Sequence, residues 1–90
     1  MTESGVPPEI HRLSQKMTDE PASKVFVQLA DEYLKYGLLK EALWILSEGI
    51  RNHPNYIAAR MMRGKVYLQT RQTKEAKDDF EVVIREHPEN

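Results

Sequence analysis

Three clusters of side chains in this chain have the residue types for chemistry. Arg60, Arg63 and Lys65 gather positive charge on a short stretch, the makings of a site for an anionic ligand such as RNA. Asp78, Asp79 and Glu81 gather carboxylates, which in other settings do acid–base work. His11, His53 and His87 are candidate metal ligands. Each cluster also has a plainer reading. Long Arg stems cover apolar surface while the guanidinium reaches water or an acid. The carboxylates are interleaved with Lys74 and Lys77, as on a solvated helix face whose ion pairs are worth about 0.2–0.5 kcal/mol each. The histidines form no close-spaced ligand pair, and His53 and His87 each precede a proline, where a cation favours the end of a helix. No glycine-rich phosphate loop, nucleophile with a base, or metal-ligand spacing occurs. The expectation is therefore a non-enzyme with no cofactor and no metal.

The elements that must position these groups are set first by composition. Ninety residues permit one small domain of modest stability. A hydrophobic content of 40% with 30% charged residues fits a folded helical protein rather than a disordered one. A net charge of −1 argues against bulk nucleic acid as a partner. Without cysteine there is no disulfide framework and no thiolate metal site. No apolar run reaches transmembrane length, and residues 1–8 lack the basic and apolar regions of a secretory signal, so the expected address is the cytoplasm, with no membrane partner.

The chain repeats itself at an offset of 34 residues. Tyr33-Leu34, Lys40-Glu41-Ala42, Ile50-Arg51 and His53-Pro54 return as Tyr67-Leu68, Lys74-Glu75-Ala76, Ile84-Arg85 and His87-Pro88. Within each copy, apolar residues step by three and four, the period of a helix. In the first copy a helix is expected over 24–36, capped by Ser23 and stopped by Gly37. A second is expected from about 39 to 51, with Ala42, Leu43, Leu46 and Ile50 inward. Asn55 is a candidate cap for the next helix, over 58–69, and the last spans 74–86. Ahead of the repeats, residues 1–8 read as a tail and 9–22 as a short helix and linker. That helix presents Ile10, Leu13 and Met17 on one face, and Pro21 closes it. The turn over 70–73 lacks glycine. If Arg71 takes the left-handed conformation, it costs roughly 1 kcal/mol, so this turn is expected to be the looser one.

This pattern resembles the tetratricopeptide repeat family. Phe26, Leu29, Ala30, Tyr33, Ala42, Leu46 and Pro54 stand at the family's positions over 23–56. Arg60, Arg63, Gly64, Tyr67, Ala76, Phe80 and Pro88 stand there over 57–90, departing only at the two arginines. The resemblance implies an all-α fold: a right-handed α-solenoid of two helix–turn–helix repeats behind a short N-terminal helix. Two repeats are fewer than the three or so usually needed. The N-terminal helix is expected to cover the first repeat, and Trp44 to pack beneath it, with a role as a partner's hot spot as the alternative. Val83 and Ile84 are expected to lie uncovered at the other end. Either the chain is a fragment of a longer one, or that edge pairs with a second copy as a homodimer.

The resemblance also implies a protein or peptide partner, held in a groove lined by the first helix of each repeat. Val27, Asp31 and Leu34 in one repeat and Met61, Lys65 and Leu68 in the other are the groove candidates; Leu34 and Leu68 have a second reading as core. The family's clamp for chaperone C-terminal carboxylates falls here at Val27, Asp31 and Met62, and an aspartate there repels such a ligand. A scaffold or adaptor is the expected role.

Overall fold

The computed structural model describes residues 7–20 and 24–86. Residues 1–6 of the expected tail, the cap at Ser23, the break at Pro21, and His87-Pro88 lie outside these; Pro8, expected in the tail, already belongs to the first helix. Helix is the regular structure of the described residues, with no strand among them: α1 Pro8–Asp19, α2 Phe26–Lys35, α3 Leu39–Asn52, α4 Ile57–Gln69 and α5 Thr73–Glu86. No helix among them is long and apolar enough to cross a membrane.

Pro8 begins α1 at the position where a missing N–H costs nothing, and extended Pro7 precedes it. The apolar stripe of α1 is spent on α2. Ile10 and Leu13 are buried and join Phe26 and Leu29 in one core, with Met17 half-buried beside them. Each helix packs chiefly on its neighbours in sequence, and the described residues extend 47 × 28 × 19 Å.

The repeat is written into the backbone. Gly37 ends α2 at φ 74°, and the N–H groups of Gly37 and Leu38 donate to Leu34 O and Tyr33 O, both at 3.0 Å. At the same offset, Arg71 takes φ 63°, and the N–H groups of Arg71 and Gln72 donate to Leu68 O and Tyr67 O at 3.1 and 2.8 Å. The second turn is therefore built like the first, not more loosely. It gains a further tie, because the Thr70 hydroxyl meets Tyr67 O at 3.0 Å. The strain of the missing glycine stays local to Arg71.

Other expectations shift. Asn55 does not cap α4: Tyr56 stands at the cap position and no side chain caps it. In α3 Ile45 is buried and Leu43 only half-buried, so the inward stripe runs through Ala42, Ile45, Leu46, Gly49 and Ile50. Trp44 is 63% exposed; it lies on the rim of a depression shared with Ser14 and Met17 of α1, not beneath that helix. Val83 is buried, so the expected open edge reduces to Ile84, 63% exposed.

Close helix approach is achieved differently in the two hairpins. In α2–α3 the Phe26 ring lies against Gly49, and a Cβ there would run into it. In α4–α5 the glycine is Gly64 and the ring is Phe80; an added Cβ would sit 2.6 Å from the ring. An ordinary helical Gly→Ala change gains about 1 kcal/mol from propensity. At Gly49 the overpacking outweighs this, and Gly49→Ala is expected to lower stability by roughly 1–3 kcal/mol. Arg71→Gly should raise it by about 0.5–1 kcal/mol. Urea denaturation of the two variants checks both signs.

Candidate partner-binding groove

Helices α2 and α4 line an apolar cleft of about 500 Å³. Four of the six expected groove residues line it: Asp31 and Leu34 from α2, Met61 and Lys65 from α4. Three- and four-residue spacings along α4 carry the stripe on through Ile57, Met61 and Lys65, and beside it through Ala58, Met62, Val66 and Gln69. These neighbours were readable from the same spacing, since a groove wall is wider than one row of side chains. Val27 and Leu68 are not brought into the cleft. Val27 leans on the core and faces a shallow depression with Lys16, Lys24 and Tyr56. Leu68, 50% exposed, belongs to a separate cleft that runs along α5 from Thr73 to Ile84. Leu34 does both jobs, packing against the core while lining the cleft.

The charges of the cleft are unequal. Asp31 is 3.8 Å from Lys35, which also donates to Glu32 at 3.1 Å, and the Glu32 hydrogen bond, with the two carboxylate charges, raises the Lys35 pKa above its ordinary value. Lys65 makes no ion pair among the described residues. The net offer is an apolar slot with one available cation on its wall.

The arginines are committed elsewhere. Asp79, expected on a solvated face, is fully buried. Its Oδ1 accepts from Arg60 Nη1 at 2.9 Å and Arg63 Nη2 at 2.7 Å, and its Oδ2 accepts from Arg63 Nε at 2.7 Å. Arg63 Nη1 donates to Ser47 Oγ at 3.1 Å, and Arg60 Nε to Pro54 O at 2.9 Å. The Arg63 guanidinium also lies 5.5 Å from the Tyr67 ring centroid. Two cations thus share one carboxylate, and the surplus positive charge is met by a hydroxyl, a carbonyl and a ring face. No buried side-chain nitrogen or oxygen among the described residues lacks a partner. Both guanidinium groups are engaged by Asp79, which weighs against the anionic-ligand reading of Arg60, Arg63 and Lys65. The hydrogen bonds that Arg63 donates to Asp79 push the Arg63 pKa above its ordinary value. A raised value gives stability that is complete below the ordinary range and lost only in strong alkali, so this tie is constant at physiological pH. The missed signal was the repeat itself: Asp79 stands 34 positions after the buried Ile45.

The histidines fall outside any such constellation. His53 stacks on Phe26, centroids 6.0 Å apart and planes 9° from parallel, and Tyr56 meets Phe26 edge-on at 5.8 Å. This aromatic cluster seals the α3–α4 connection. His11 is exposed on α1, and His87 lies outside the described residues. Among the described residues no group of three or more potential ligands is placed to hold a metal ion.

Comparison with family models, with curated proteins and with solved structures gives no match.

Asp79→Ala strands two part-buried guanidinium groups, and a loss of roughly 3–5 kcal/mol is expected. Replacing all three members together, Arg60→Met with Arg63→Met and Asp79→Leu, should recover most of that, because a well-packed apolar trio needs no pairing. Chemical denaturation of the two variants beside the parent decides it; equal losses in both refute the pairing argument.

Proposed function

We propose that this chain is a non-catalytic protein-interaction module of the tetratricopeptide type, a right-handed solenoid segment that holds a peptide or helix between α2 and α4. The observation that carries the reading is the cleft bounded by Leu34, Met61, Met62 and Val66, with Lys65 exposed on its wall. Methionine adapts its shape to different apolar anchors, which suits a recognition surface. The mechanism is burial of one or two apolar anchors in the slot, with the backbone orientation fixed by charge. A carboxylate on the ligand meets Lys65, while Asp31, already engaged by Lys35, discourages acids at the opposite wall. The shared matrix of small residues at Ala30, Ala42, Gly64 and Ala76, all buried, supports the family reading, because it lets paired helices approach. A scaffold or adaptor role in the cytoplasm follows from that reading.

The test is selection from a displayed library of random peptides against the whole chain. Enriched sequences should combine an aromatic or aliphatic anchor with a neighbouring acid. Met61→Glu should weaken their binding by at least roughly tenfold, the effect of placing a charge in an apolar slot. Lys65→Glu should select basic peptides instead. Peptides that bind Met61→Glu as well as they bind the parent would remove this cleft from consideration.

A further inference from the structure

The outer end of α4–α5 carries a second apolar cleft, of about 480 Å³, with Leu68 and Ile84 exposed at its mouth. Its lining has an internal template. Leu68, Ala76, Phe80 and Ile84 stand 34 positions after Leu34, Ala42, Leu46 and Ile50. In the first copy that face is closed: Ala42 and Leu46 are fully buried and Ile50 nearly so, in a core shared with Ala59 and Met62 of α4. The molecule therefore shows what fits such a face. It is an amphipathic helix with a small residue, an apolar residue three further on, and a basic residue next to that, as in Ala59, Met62 and Arg63.

The basic residue matters because of what has changed between copies. Arg63 donates to the Ser47 hydroxyl on the closed face. At the matching place on the open face stands Glu81, an exposed carboxylate that lines the cleft. Lys77 lines the same cleft, at the place of half-buried Leu43. We infer that the open face of α4–α5 is a docking site for a helix of another polypeptide, with a small–apolar–basic stripe like that of α4, its basic residue paired with Glu81. Among the described residues of a second copy, neither α4 nor α1 presents that stripe. The stripe of α4 is spent inside its own fold, and the outer face of α1 is polar, with Glu9, Arg12, Gln15 and Lys16 exposed. The site is separate from the α2–α4 groove, and the inference stands whether or not that groove binds a peptide.

The probe is a synthetic, end-capped peptide with the sequence of residues 56–70, titrated into the full isotope-labelled chain. Saturable shifts are expected at the signals of Leu68, Phe80 and Ile84, and these should vanish in Ile84→Asp, an exposed change that leaves the fold intact. A peptide with glutamate in place of its arginine equivalent to Arg63 should bind roughly fivefold more weakly, and Glu81→Arg in the protein should restore it. Three outcomes overturn the inference: no saturable shift at millimolar peptide, shifts confined to the Asp31–Met61 groove, or equal affinity of the two peptides. Sedimentation of the chain alone adds a fourth, a dimer that Ile84→Asp dissolves, since the face would then belong to a second copy.

Discussion

A carboxylate with no access to water holds this fold in register. Asp79 on α5 is reached by Arg60 and Arg63 from α4, and those same side chains extend to Ser47 on α3 and to the carbonyl of Pro54 in the connection before α4. Through these two arginines one buried anion is linked to three helices and the segment between the hairpins. Apolar packing alone would let α5 slide or rotate against α4 at little cost, because one apolar contact resembles another. Charge-assisted hydrogen bonds with fork geometry do not tolerate such a slip. The arginines that depart from the apolar pattern of the first copy are the groups that fix how the second hairpin sits on the first.

The helices were legible in the sequence because their signals are local and doubled. Apolar steps of three and four, the glycine at Gly37, and Pro8 at a helix start each act within a turn or two. The backbone of Arg71 was legible for another reason: its place in the second copy matches Gly37 in the first. The site was legible only in part. Asp31, Leu34, Met61 and Lys65 converge as their helical spacing implies, yet Val27 and Leu68 fall into other depressions. Helical phase tells which side chains share a face. It does not tell how far along its partner each helix lies, and that decides where a groove ends.

Burial of Asp79 was illegible for a related reason. Beside Asp78, Glu81 and two lysines it has the composition of a wet surface, and only its phase in the repeat contradicts that. Trp44 errs in the opposite direction. Its size suggests a core residue, but α1 covers the α2 side of the first hairpin and leaves the indole on a rim. Residue type argues for an environment; the geometry of neighbouring helices assigns it.

The opposed placement of ring and glycine in the two hairpins bears on how this chain can evolve. Phe26 faces Gly49, whereas Gly64 faces Phe80. Exchanging the second helices between hairpins would press Phe26 into Val83 and leave Gly64 opposite the smaller Leu46. The halves are alike in backbone but not interchangeable in volume. Repeated in sequence, the two halves are still a lock with two different wards, and an exchange of segments between them would jam it.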